Sequence, residues 1–258
     1  MSAYANHGGH WYTQTGEPAY TIVGKNGNER NTTLADARKL LLVPSVTTIL
    51  SVADKPALTA WKVDQALMAA LTLPRIEGES LDDFKKRAAQ DAKQQSIDAA
   101  DEGTRIHAAI ESYYSMTTGS SGSEWDEKYD SHVRATQAAI YYTFGNLDWR
   151  PEKSFCSPLG YGGKVDLHSD QVVIDFKTKD FGPNDKIVAY DEQIMQLDAY
   201  RHGLGYPTAT MANVYVSRSH PGEVRVIVHE EGDHYQRFCL LLEYWKLSKK
   251  YNPLEITA

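Results

Sequence analysis

Cysteine is scarce in this chain of 258 residues, which carries two, Cys156 and Cys239. An iron–sulfur cluster is usually held by four cysteines, so none is expected. The two are far apart in sequence and suggest no disulfide framework, which fits a reducing compartment. Long apolar runs are also missing. Nothing approaches the ~18 apolar residues that would suggest a membrane span. The opening MSAYANHGGHWY lacks the charged-then-apolar order of a signal peptide. A cytoplasmic protein with no membrane contact is the expectation. A basic excess is absent too: 27 Lys and Arg stand against 34 Asp and Glu, for a formal net charge of −7. That balance excludes a general nucleic-acid coat protein. Any contact with nucleic acid is then confined to a local basic groove.

What is present is enough to fold. Hydrophobic residues make up 41% of the chain, sufficient for a sizeable core. No internal repeat is visible. One domain is expected over 1–258, with strands and a helical elaboration in 1–99 and the core in 100–258. Residues 8–33 read as short strands and loops around a GKNGN turn at 24–28. A short helix is predicted at about 34–42. Pro44 then breaks the chain, and Ser45 offers an N-cap for VTTIL. From about 57 to 145 the pattern is helical. PALTAWKVDQALMAAL has apolar residues at helical spacing, SLDDFKK opens on a Ser cap, and DEGTRIHAAIESYY continues the period. A loop is predicted at 117–123 and a helix at about 124–144. Beyond 150 come β-like runs at KSFC, GGKVDLH and QVVIDFK. A helix at about 184–204, strands near 209–216 and 223–229, and a helix at about 232–250 follow. The order gives an α/β fold with a helical elaboration.

The richest stretch is GYGGKVDLHSDQVVIDFKTKD, 160–180. Strand side chains alternate faces. Asp175 and Lys177 therefore share one face, and Val172, Ile174 and Phe176 the other. A two-residue loop at Ser169-Asp170, or a four-residue loop from His168 to Gln171, pairs Leu167 with Val172 and Val165 with Ile174. The apolar side chains then meet on one core face. The same register sets Asp166 opposite Val173 and diagonal to Asp175, on the face of Lys177. Diagonal neighbours lie ~7–8 Å apart at the backbone, close enough for two carboxylates to converge on one cation.

That arrangement suits phosphodiester hydrolysis. The diester repels anionic nucleophiles and has a poor leaving group. A divalent cation neutralises charge and activates a water, and hard oxygen ligands select Mg²⁺ or Mn²⁺. A lysine beside it can orient the water and stabilise developing charge. A surface hairpin with ordinary solvated charges is the competing interpretation.

The pattern Asp, hairpin, Asp-x-Lys, here GGKVD at 162–166 and DFK at 175–177, resembles the PD-(D/E)XK nuclease superfamily. Two further elements are similar to its RecB-type exonuclease branch. GTRIH at 103–107 precedes the hairpin on a helix, and QLDAY at 196–200 follows it on another. SVTTIL at 45–50 resembles phage-encoded and mitochondrial members, more loosely. The resemblance covers roughly 100–205. It implies a restriction-endonuclease-like core, a mixed sheet flanked by helices. It implies Asp166, Asp175, His107 and the carbonyl of Phe176 as metal ligands, with Lys177 as the catalytic lysine. Gln196 and Tyr200, on one helix face at i, i+4 spacing, would support the site and the DNA backbone. Glu152 matches an acidic residue of the first core strand. Glu111, one turn past His107, is either a supporting group or a solvated charge. Lys179 either contacts phosphate or is solvated. Trp61, Trp125, Trp149 and Trp245 read as core, and the basic runs at 85–87 and 249–250 as solvated faces.

The implied activity is a divalent-metal-dependent DNA exonuclease of bacterial or phage context, acting on single strands or free-ended duplex. Such nucleases serve DNA recombination and DNA repair and work beside a helicase or recombinase. A structure-specific or restriction-type endonuclease is one alternative. A non-catalytic DNA-binding subunit on the same fold is another.

Overall fold

The computed structural model describes residues 9–117, 119 and 124–255. The first eight residues, and most of the loop expected at 117–123, lie outside them. The chain is an α/β protein with a five-stranded mixed sheet flanked by helices. Among the described residues no helix is long and apolar enough to cross a membrane.

The N-terminal segment forms small pairs. Strand β1, Trp11–Tyr12, pairs with β4, Val43–Pro44. Strands β2, Thr21–Val23, and β3, Glu29–Asn31, make a hairpin around the predicted glycine turn. Helix α1, Leu34–Leu40, starts at Thr33, whose side chain accepts from the Asp36 N–H. Helix α2, Val46–Leu50, starts at the predicted cap, with Ser45 Oγ accepting from Thr48 N at 3.0 Å.

Helix α3, Pro56–Thr72, packs back on the start of α4, Leu81–Thr117, through Ala69, Ala88 and Ala92. Helix α4 has 37 residues, about 55 Å at ~1.5 Å rise per residue. Its two predicted segments are one helix because no breaker separates them. Ser80 caps it, accepting from Asp83 N at 3.2 Å. The small α3–α4 core leaves much of α3 uncovered. Trp61, expected in the core, is 37% exposed. Trp149 and Trp245 are buried as expected, and Trp125 is partly so. Helix α5, Asp130–Phe144, begins later than expected, because a 3-10 turn at Glu127–Tyr129 takes the Asp126 cap.

The sheet order is β5-β6-β7-β8-β9. Its strands are β5, Arg150–Ser157; β6, Tyr161–His168; β7, Val172–Lys179; β8, Thr210–Ser217; and β9, Val224–His229. Only the β7–β8 pair is parallel, and helix α6, Asp191–Leu204, makes the crossover between them. Helix α6 was expected from about 184. It starts at Asp191 because Tyr190 is extended and its N–H donates to Gln193 Oε1 at 3.0 Å. Helix α7, His234–Lys249, closes the fold.

Both faces of the sheet are covered. One carries α2, α6 and α7, with Ile49, Leu197, Phe238, Leu242 and Trp245 around Phe155, Tyr161, Val165 and Val173. The other carries α4 and α5, with Ile106, Ile110, Val133 and Ile140 around Leu167, Val172, Ile174, Phe176, Val214 and Val216. Each fully buried aliphatic side chain contributes ~1.5–3 kcal/mol. The expected hairpin register is corrected by two residues: Leu167 pairs with Ile174 and His168 with Val173. An even slip by itself moves no side chain to the other face. Ser169 closes the shifted turn, its N–H donating to Val172 O at 2.8 Å and its Oγ accepting from Val172 N at 3.1 Å. The expectation of one shared core face also fails. Val165 packs with the α6–α7 core, whereas Leu167 packs with the α4–α5 core.

Candidate active site

The strand turns over at Asp166, between those two apolar residues. Across from it in β5, Glu152 has φ of +55°, and the β5–β6 ladder has no rung between the two. Continuing the β6–β7 register past Leu167 and Ile174 would set Asp166 directly opposite Asp175. Like charges placed so are destabilising. The strands part there instead. The Asp166 carboxylate takes the place of a strand carbonyl, accepting from Phe176 N at 2.8 Å. The result is a fork, closed at His168–Val173 and open at the two acids.

Asp175 is held on both carboxylate oxygens. Oδ1 accepts from Gln196 Nε2 at 2.8 Å, and Oδ2 from Asn213 Nδ2 at 2.9 Å. Lys177 Nζ lies 2.7 Å from Asp175 Oδ2 and donates to Gln196 Oε1 at 3.2 Å. Gln196 also donates to the Tyr200 hydroxyl at 2.9 Å. One amide on α6 thus ties together an acid, a lysine and a phenol. The i, i+4 spacing places Gln196 and Tyr200 as the sequence pattern required. Tyr200 does pack against the sheet, edge-on to Phe155.

Two glycines allow this approach. A Cβ on Gly163 would meet Phe155 and Tyr200 ring carbons at 2.8 Å, so the bare backbone admits both rings. A Cβ on Gly103 would meet Thr178 Oγ1 at 2.4 Å. Gly103 therefore lets α4 cross the end of β7. One turn later His107 lies edge-on to Phe176, with ring centroids 6.0 Å apart. That gives the spacing from Gly103 to His107 a physical meaning.

The electrostatics are those of crowded acids. Burial, and then the charge of Asp175, push the Asp166 carboxyl up to about 7. Burial lowers His107 to about 4, opposed by Asp175. The imidazole is therefore neutral at neutral pH. Burial, then Asp175 and Asp166, hold the Tyr200 phenol well above its ordinary range. It remains protonated, its oxygen accepting from Gln196.

The structure thus gathers Asp166, Asp175, Phe176, Lys177, Gln196 and Tyr200. His107 stands beside them. Among the described residues, however, no three His, Cys, Asp or Glu side chains are grouped closely enough to hold a metal ion. The expected ligand set of His107, Asp166 and Asp175 is therefore not drawn into one cluster. Glu152 is engaged elsewhere, in an ion pair with Lys164. Glu111 is half-buried and makes no bond to the acids or to Lys177. Lys179 ends β7, half-buried, and also makes no bond to the acids.

Sequence reasoning missed the neighbours on β8. The parallel register sets Asn213 beside Asp175 and Tyr215 beside Lys177. Tyr215 donates to Gln193 Oε1 at 2.6 Å, fixing the first turn of α6. An Asn within the apolar run TMANVYV was the available signal, since Asn is disfavoured in strands.

No family model matches the chain, and no curated protein matches it. Among solved structures, the crystal structure of SSO0001 matches over 74% of this chain and 85% of its own. The identity is 13% and the TM-score 0.33. At that level nothing is transferred from it.

Proposed function

We propose that this protein is a divalent-metal-dependent DNA nuclease on a PD-(D/E)XK core. The observation that carries the reading is the fork itself. Two carboxylates from adjacent strands, an ammonium in contact with one of them, and a Gln–Tyr brace from the following helix all meet at one point. These are the residues the motif resemblance selects, and they come from separate stretches of sequence.

The donor set fits a hard cation. Asp166 and Asp175 supply carboxylate oxygens, and Phe176, next to Asp175 in sequence, supplies a carbonyl. A buried carboxyl pushed up to about 7, partly by its neighbour's charge, is one that a cation would relieve. His107, neutral and beside Phe176, is the further ligand that the motif resemblance implies. Bound there, a cation would neutralise charge on the scissile phosphate and favour ionisation of a water.

The remaining groups have roles set by their contacts. Lys177 is 27% exposed at its side chain, so its ammonium reaches both Asp175 and solvent. It would orient the attacking water and stabilise charge developing on phosphate oxygens. Gln196 keeps Lys177 and Asp175 in register. Tyr200, held protonated, keeps the Gln196 amide oriented.

The substrate reading is DNA with a free end or a single-stranded stretch, hydrolysed as an exonuclease. Digestion of linear and covalently closed circular DNA of one sequence, with Mg²⁺ or Mn²⁺, tests it. Loss of the linear form alone is expected. Nicking of the circle at an equal rate would establish an endonuclease instead.

A further inference from the structure

We propose that Asn213, braced by His229, is a positioning residue for the acid Asp175. The proposal rests on the nuclease reading and extends it to residues outside the motif.

Asn213 is completely buried in the middle of β8. A buried amide there is costly unless all of it is used. Its Nδ2 donates to Asp175 Oδ2 at 2.9 Å and to the Asp175 carbonyl at 3.3 Å. One amide group therefore pins both the side chain and the backbone of the acid. The direction of that amide is in turn fixed. Its Oδ1 lies 2.8 Å from His229 Nε2. An amide oxygen only accepts, so His229 carries its proton on Nε2. Swapping the amide end for end would place Oδ1 against a carboxylate and Nδ2 against an N–H. The first contact would be repulsive, since a carboxylate only accepts; the second would require His229 to move its proton to Nδ1. Asp175, an acceptor at both its carboxylate and its carbonyl, thus selects the orientation of Asn213, and His229 braces that amide from its oxygen side.

The chain from His229 to Asn213 to Asp175 runs from β9 through β8 to β7. The sheet register supports it. Asp175 sits beside Asn213, and Met211, two residues before Asn213, sits beside His229. The three polar residues thus share one face of the sheet. Gln196, on α6, holds the other oxygen of Asp175. Two amides, one from the sheet and one from α6, leave the carboxylate little freedom to rotate. Pre-orientation of a carboxylate by hydrogen-bonded neighbours strengthens cation binding, and removing such a neighbour costs roughly 10- to 100-fold in affinity or activity.

The test uses the full chain with Asn213→Leu, His229→Phe and His229→Gln. Gln retains an N–H donor for Asn213 and Phe does not. Mn²⁺ affinity is read by titration calorimetry, kcat and KM by DNA digestion, and folding by thermal unfolding in EDTA. We expect Asn213→Leu and His229→Phe to weaken Mn²⁺ binding roughly 10-fold or more. We expect kcat to fall with KM for DNA little changed, and His229→Gln to restore both. If Asn213→Leu fails to fold, the His229 pair carries the test alone. Wild-type Mn²⁺ affinity and kcat in His229→Phe would overturn the proposal while leaving the nuclease reading intact. So would equal losses in the Phe and Gln variants. Wild-type protein that neither binds Mn²⁺ nor cuts DNA overturns the nuclease reading, and the proposal with it.

Discussion

Replacing Gly163 with alanine is expected to damage stability and the site together. An added Cβ would lie 2.8 Å from Phe155 Cε1, Phe155 Cζ and Tyr200 Cε1, against ordinary contact at 3.4–4 Å. Three ring carbons would have to retreat by about 0.6 Å or more to reach normal contact distance. Neither ring is free to do so. Phe155 also stacks edge-on to Tyr161, and the Tyr200 hydroxyl is bonded to Gln196. Overpacking of this kind costs typically ~1–3 kcal/mol. At roughly 2–4 °C per kcal/mol for a chain of this size, the thermal midpoint should fall by about 2–12 °C. Retreat of Tyr200 would also disturb the Gln196 amide, and through it Asp175 and Lys177. DNA cleavage should therefore fall by more than the unfolded fraction explains. Thermal unfolding and digestion at a temperature well below the midpoint measure the two effects. Gly182→Ala is the control, since its Cβ would meet nothing closer than 3.5 Å. A Gly163→Ala protein with the wild-type midpoint and activity would refute the packing argument.

Four other outcomes follow from the same contacts. Asp198 is almost fully buried, accepting from Arg201 Nε at 2.7 Å and Tyr235 N at 3.0 Å. Asp198→Ala should destabilise by ~1–3 kcal/mol in urea unfolding, because the Arg201 Nε and Tyr235 N donors lose their acceptor while Arg201 keeps Glu231. Ser80→Ala removes the α4 cap and should cost about 1 kcal/mol, with cleavage unchanged. Gln196→Leu leaves Asp175 Oδ1 without its amide donor and should lower kcat far more than it raises KM. In EDTA, Asp166→Asn removes a buried negative charge beside Asp175 and keeps an acceptor for Phe176 N. Its thermal midpoint should lie above that of wild type while its cleavage is lost; a lower midpoint would contradict the crowded-acid account.

The legible parts of the fold were those written in local chemistry. Ser45 and Ser80 capped helices because a hydroxyl three residues before an N–H has few other uses. The faces of Asp175 and Lys177 followed from strand alternation, which no tertiary contact reversed. The hairpin register was off by two because a face-based argument cannot distinguish registers that differ by an even number. The turnover of β6 at Asp166 was illegible: it depends on Glu152, in another strand, adopting a left-handed conformation. Tyr190 ended the irregular segment before α6 through a side-chain cap from Gln193 that helical periodicity does not register. Asn213 and His229 lay outside any motif, and only the β7–β8–β9 register brings them to the site.

The central claim is that the fork of Asp166, Asp175 and Lys177 hydrolyses DNA with a bound divalent cation. Its most direct test is digestion of end-labelled linear single- and double-stranded DNA. Mg²⁺, Mn²⁺ and EDTA are compared for wild type and for Lys177→Ala. The account predicts metal-dependent loss of DNA by the wild type, none in EDTA, and a fall of roughly 10²-fold or more in the variant. Equal cleavage by Lys177→Ala, or cleavage that persists in EDTA, would contradict it.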